Sequence, residues 1–232
     1  MPIKIQRSEE RGSADFGWLK TRYSFSFANY YNPERMGFGV LRVLNDDIIS
    51  PGKGFGMHHH NNMEIVTIVL EGGVTHSDSM GNDGVISAGE AQRISAGKGI
   101  MHSEYNASGK KQLHLLQIWV EPKDKDIEPS YEQKKIEWEK NIFATIVSGT
   151  KVKRSLFMHQ DAEFMVAEIG KGKTCTHKLK PKRGAFVFMV DGNVEIAGQR
   201  LAKGDSAEIS DEKEATVKAV RGSKVLLIEV PL

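Results

Sequence analysis

The spacing of glycine sets the first limit on the fold. The chain's 23 glycines fall mostly between short runs rich in Val, Ile, Phe and Thr, and helical signals are scarce. Such runs at close spacing, with turn residues between them, predict an all-β sandwich or barrel. Residues 38–49 predict a strand followed by a turn at Asn45-Asp46-Asp47. Residues 63–70 predict another, which Glu71-Gly72-Gly73 turns into 74–78, and 113–120 a further strand stopped by Glu121-Pro122. From Pro122 to about Lys140 the chain is charged and holds two prolines, so 131–140 reads as a short helix or a linker. The strand texture then resumes at 164–169, 185–190 and 194–197, joined through Gly170-Lys171-Gly172 and Asp191-Gly192-Asn193. Asp-Gly and Gly-Lys-Gly suit tight antiparallel connections.

The two halves share a pattern. Residues 69–74 resemble 189–194, and 86–90 resemble 201–205, in the same order and at a similar separation. We read this as one β unit used twice. A length of 232 residues accommodates two such units, and 39% apolar residues suffice for a packed core.

Charge and cysteine content exclude several classes. Lys and Arg number 32 against 30 Asp and Glu, so no bulk positive field argues for nucleic acid. Cys175 is the single cysteine, which rules out an internal disulfide framework and any multi-cysteine zinc module. It reads as a small buried hydrophobe. The first residues carry no apolar signal-peptide core, and no apolar run is long enough to span a bilayer. A cytoplasmic location, away from membranes, is the expectation.

Six of the eight histidines lie in the first half: His58, His59, His60, His76, His102 and His114. Alternation along a strand puts His58, His60 and Glu64 on one face and turns His59 away. The same parity pairs His102 with Glu104. Two imidazoles two residues apart can direct nitrogens at one ion, and a third imidazole with a carboxylate from a neighbouring strand completes a mixed N/O site. His-x-His alone is weak evidence. Glu64 four residues on, and a second His-x-Glu block behind a glycine-rich turn, make it strong. His76 and His114 read as ordinary polar or packed histidines and stay outside the expected site.

Gly52-x5-His58-x-His60-x3-Glu64 resembles the first cupin motif, and Gly99-x2-His102-x3-Asn106 the second. More specifically, roughly the first 130 residues resemble the pirin family in its bacterial quercetinase-like branch. The matching stretches are Phe25-Ser-Phe-Ala-Asn-Tyr-Tyr-Asn-Pro33, Met36-Gly-Phe-Gly-Val-Leu-Arg-Val-Leu-Asn-Asp47, Met63-Glu-Ile65, Asp78-Ser-Met-Gly-Asn82 and Gly99-Ile-Met-His-Ser-Glu-Tyr-Asn106. The chain departs from the usual pirin pattern at His59, where proline is common.

The resemblance implies a bicupin of two antiparallel β-barrels, with a metal-binding N-terminal unit (1–135) and a cupin-like C-terminal unit without a metal (136–232). The family's three His and one Glu map to His58, His60, His102 and Glu104. Many other cupins use the carboxylate at Glu64, and parity does not choose between the two acids. We take Glu104 as the ligand and Glu64 as a group beside it, either being able to accept a substrate proton. The implied activity is dioxygenolytic opening of a flavonol, a quercetin-like aromatic enol, with O₂. One divalent ion is expected per chain, Fe(II) first, with Cu, Ni, Mn, Co and Zn as alternatives. A rival reading is a metal-binding regulator that contacts a partner protein without turnover. A third is a cupin that binds a sugar or small acid without chemistry.

Overall fold

The computed structural model describes residues 3–232. In the first half the strands are β1 (Ile3–Gln6), β2 (Gly12–Asp15), β3 (Leu19–Tyr23), β4 (Leu41–Ile49), β5 (Gly54–His60), β6 (Glu64–Glu71), β7 (Gly73–Asp78), β8 (Asp83–Ser87), β9 (Glu90–Ser95), β10 (Ile100–Asn106), β11 (Leu113–Val120) and β12 (Ser130–Lys135). The second half adds β13 (Ala144–Ser148), β14 (Leu156–Phe157), β15 (Glu163–Ile169), β16 (Thr174–Lys178), β17 (Arg183–Asp191), β18 (Asn193–Ile196), β19 (Gln199–Ala202), β20 (Ser206–Ile209), β21 (Glu214–Ala219) and β22 (Ser223–Pro231). Among the described residues no helix is long and apolar enough to cross a membrane.

Each half is a seven-stranded sheet facing a four-stranded one. The large sheets run β12-β9-β6-β11-β4-β3-β2 and β1-β20-β17-β22-β15-β13-β14, and the small ones β5-β10-β7-β8 and β16-β21-β18-β19. The two orders correspond except at one outer edge, where β2 runs antiparallel to β3 but β14 parallel to β13, and this correspondence is the duplication that the paired motifs predicted. Gly72 and Gly192 occupy equivalent hairpin corners with φ of 81° and 91°. A side chain there would press on the backbone of the next central strand, at Gln112–Leu113 in one half and Gly222–Ser223 in the other.

Two expected turns or linkers are strands instead. Asn45-Asp46-Asp47 runs uninterrupted through β4 because its polar groups find partners: Asp46 bonds Arg11 and His114, while Asn45 pairs in register with Gln117. Of residues 131–140, read as helix or linker, 131–135 join Ser130 in β12 on the outer edge of β9. Its charge is that of an edge strand, where Lys and Glu discourage pairing with another chain. The first strand departs from the expected division at residue 135, since β1 pairs with β20 of the second half.

The large sheets pack against each other through one apolar core that includes Phe25, Leu41, Leu116, Phe164, Phe186 and Ile228. Phe186 is fully buried with its ring centroid 5.4 Å from that of Phe25 and 6.4 Å from that of Phe38. Phe186→Ala is expected to cost about 3–5 kcal/mol, read as a lower urea midpoint. The interior of the second half is a separate apolar cluster in which Cys175, Ala215 and Val217 occupy the strands equivalent to β5 and β10. Cys175 is the small buried hydrophobe expected.

Candidate metal centre

The small sheet of the first half carries the histidines. On β5 and β10, His58 pairs with His102 in register, but Phe55 pairs with Glu104. Two residues on β5, Gly56 and Met57, therefore lie opposite one on β10, Ser103. This bulge at Gly56-Met57 lets both Phe55 and His58 face the interior, and a bulge beside a site commonly re-aims a side chain in this way. The carbonyl of Gly56 lies 2.8 Å from Nδ1 of His58 and fixes the ring. His59 points outward and is exposed, as alternation requires.

Donor atoms of His58, His60 and His102 all lie within 4.8 Å of one another. His102 is 1% exposed, yet neither of its ring nitrogens has a hydrogen-bond partner. A buried polar group without a partner is a cost that a bound ion removes. Burial, reinforced by the neighbouring imidazoles, lowers the pKa of His60 to about 4 and of His102 to about 3. Neutral imidazoles keep their lone pairs available, so the donor set fits a divalent metal.

Glu104 lies on the inner side of this group, 2% exposed, with a donor oxygen within 4.8 Å of the nitrogens offered by His76 and His102. It sits over a line of polar side chains that crosses the large sheet in register: Tyr23, Asn45, Gln117, Thr67, Gln92 and Gln133. Gln92 Nε2 donates to Oε1 at 2.5 Å, Thr67 Oγ1 to Oε1 at 3.1 Å, and Gln117 Nε2 to Oε2 at 2.7 Å. Burial pushes the Glu104 carboxyl up. The neutral donors act against that shift and hold the carboxylate in one orientation.

The structure does not bring Glu64 to the histidines, contrary to the parity argument. Asn62 adopts φ 45° between β5 and β6, and the two strands enter different sheets, so alternation does not carry across. On β6, Thr67 faces Glu104, whereas Glu64 shares the opposite face with Val66 and Ile68 of the inter-half core. Its Oε2 accepts from Ser95 Oγ at 2.8 Å and from the backbone N–H of His159 at 3.1 Å. Glu64 ties the halves together at their seam.

His114, left out of the expected site, bonds Asp46 at 2.6 Å on the opposite face of β4 from Asn45 and Asp47. There it lines a groove of about 620 Å³ with Lys20, Arg22 and Lys203. His76, also outside the expected site, is completely buried beside Glu104 and His102. Its signal was the His-x-Asp spacing that places His76 and Asp78 on one strand face. Gln92 and Gln117, polar residues inside apolar strands, carried a similar signal.

The site also has aromatic walls. Trp119 meets His60 edge-on at 4.9 Å and Phe27 at 5.3 Å, and its indole N–H is buried without a partner. Phe55 stands 6.5 Å from His58.

Comparison with known proteins agrees with this architecture. The family model described as Pirin matches residues 4–120, and that of the quercetinase C-terminal cupin domain matches 145–230. The chain is 44% identical over 229 residues to a quercetin 2,3-dioxygenase of Escherichia coli (strain K12), covering 99% of each. It is 39% identical over 224 residues to a pirin-like protein of Caulobacter vibrioides, covering 95% of this chain and 96% of the relative. The crystal structure of the bacterial pirin YhhW from Escherichia coli in complex with nickel(II) superimposes with a TM-score of 0.95 at 43% identity, covering 99% of both chains.

Proposed function

The chain belongs to the pirin family, and on that premise we propose that it is a cytoplasmic, metal-dependent dioxygenase that opens the ring of a flavonol-like substrate with O₂. The observation that carries this reading is a trio of converging imidazoles, of which His102 is buried with both nitrogens unpartnered, beside a clamped carboxylate and an aromatic wall. His58, His60 and His102 would hold one divalent ion with Glu104 in the N-terminal unit (1–135), while the C-terminal unit (136–232) supports it. Fe(II) is the proposed metal, since mixed His and carboxylate sets that leave positions open suit non-haem iron. When bound, the metal supplies a Lewis-acidic, redox-active centre for the enol and O₂.

The side chains account for the rest. Trp119, Phe27 and Phe55 offer flat apolar surface for a planar aromatic ring. The unpartnered indole N–H of Trp119 can donate to a substrate oxygen. Glu104, kept oriented by Thr67, Gln92 and Gln117, accepts the proton of the substrate hydroxyl. The test is flavonol loss with matched O₂ consumption by iron-reconstituted protein. Loaded wild type that consumes no O₂ with any flavonol overturns the reading, and a partner-binding regulator then leads.

The two acids separate cleanly. Glu104→Gln is expected to weaken metal retention at least about tenfold. Glu64→Gln should retain metal and turnover, because its contacts lie at the seam with Ser95 and His159. Metal content after dialysis checks this, and the reverse pattern would show the carboxylates wrongly assigned.

A further inference from the structure

A ladder of aromatic rings joins the candidate metal centre to the surface. The Trp119 ring lies 4.9 Å from that of His60, centroid to centroid, with the planes 81° apart. Phe27 stands 5.3 Å from Trp119, and Tyr23 stands 5.6 Å from Phe27. Tyr30 follows, 6.2 Å from Tyr23 with its plane 18° from parallel. Phe27 and Tyr30 are held together as the two ends of a tight turn, each backbone N–H donating to the other's carbonyl at 3.0 and 2.9 Å. Tyr30 lies flat over Gly12, where a Cβ would come within 2.4 Å of the ring, so the absence of a side chain makes room for it. Tyr23 is buried and Tyr30 only half-buried, so the ladder runs outward.

Packing alone asks for apolar bulk at these positions, which Phe or Leu supplies. Both ends of the ladder are instead electron-rich, an indole beside His60 and a phenol at the surface. Indole and phenol give up an electron far more readily than the benzene ring of Phe or an imidazole. We propose that the ladder is an electron relay that protects the site when O₂ is reduced there with no flavonol to oxidise. The inference rests on the dioxygenase reading, which brings O₂ to the centre. O₂ is the oxidant, and it draws one electron from the Trp119 indole across the contact with His60. Tyr30 restores that electron through the rings of Tyr23 and Phe27. It releases its phenol proton to water and is left as a neutral tyrosyl radical. One electron has then passed from Tyr30 to oxygen and one proton to water. An external thiol resets the relay by giving a hydrogen atom, its S–H bond breaking as the phenol O–H bond forms. Oxidation thus falls on a renewable hydrogen near the surface and spares His58, His60 and His102.

The experiment mixes iron-reconstituted protein with O₂ in the absence of flavonol, freezes it and records the electron paramagnetic resonance spectrum. Wild type should give a tyrosyl signal that narrows when the protein is made with ring-deuterated tyrosine. Tyr30→Phe keeps the stack on Tyr23 and should lose the signal, and peptide mapping should then find the oxidation on Trp119. Tyr23→Leu interrupts the ladder and should lose the signal too, whereas Tyr23→Phe keeps the ring and should retain it. If Tyr23→Leu does not fold, Tyr30→Phe carries the test. A signal that survives in Tyr30→Phe overturns the proposal. So does one that vanishes in Tyr131→Phe, since Tyr131 stands 4.5 Å from His76 and is the competing terminus. Wild type that consumes O₂ with a flavonol, yet gives no signal without one, also overturns it. Wild type that neither consumes O₂ with a flavonol nor gives the signal defeats the dioxygenase reading itself.

Discussion

His60→Ala will release the metal and reduce flavonol-dependent O₂ consumption to background. His60 is one of three imidazoles whose donor atoms converge within 4.8 Å, and Ala offers no donor to replace it. Burial lowers its pKa to about 4, so the ring is neutral at neutral pH and its lone pair is available. The ring also packs edge-on against Trp119, so its removal opens the aromatic wall as well. His59→Ala, one residue away, should leave metal content and rate unchanged because that ring is exposed on the outer face. Metal analysis with oxygen-electrode rates on both variants checks the contrast. Equal loss in the two would mean that the strand does not present alternate faces as described.

The second large effect lies in the second half of the chain. Glu229 is completely buried on β22 and accepts from Arg183 Nε at 2.5 Å, with His177 Nε2 also 2.5 Å away. Burial alone would raise its pKa. The bonds from His177 and Arg183 outweigh burial and hold it at about 2. Removing one partner of a buried pair strands the other charge, so Arg183→Met is expected to destabilise the fold by about 3–5 kcal/mol. The folded pKa lies below the ordinary value of 4.5, so this stabilisation is complete above that pH and fades as pH falls toward 2. Urea midpoints between pH 7 and 3 should fall in the wild type and fall less steeply in the variant.

What the sequence disclosed follows from which interactions are local. β11 and β17 were legible because their apolar runs are bounded by turn residues, and Gly72 and Gly192 marked equivalent corners because both need positive φ. The His58, His60 and His102 grouping was legible because each His-x-His or His-x-Glu block stays within one strand. The failures have a common cause. Asn45-Asp46-Asp47 looks like a turn until Arg11 and His114, distant in sequence, supply partners. Glu64 was aligned with the histidines by counting through Asn62, where one left-handed residue resets the count. β12 owes its strand conformation to pairing with β9, and its own charged sequence gives little hint of it. His76 falls outside the expected site because its neighbours Glu104 and Tyr131 come from other strands.

The placement of β1 bears on how the protein could be divided. In the second half it fills the position beside β20 that β12 fills beside β9 in the first, so the chain borrows its opening residues to finish its closing barrel. Severing the polypeptide after residue 135 would therefore yield a C-terminal fragment with a bare, adhesive edge along Ser206–Ile209. A short peptide bearing Ile3–Gln6 is the natural cover for that edge, docking by main-chain hydrogen bonds as donated strands do. The C-terminal barrel is in this way not a separable module, because its edge is closed by a strand from the start of the chain.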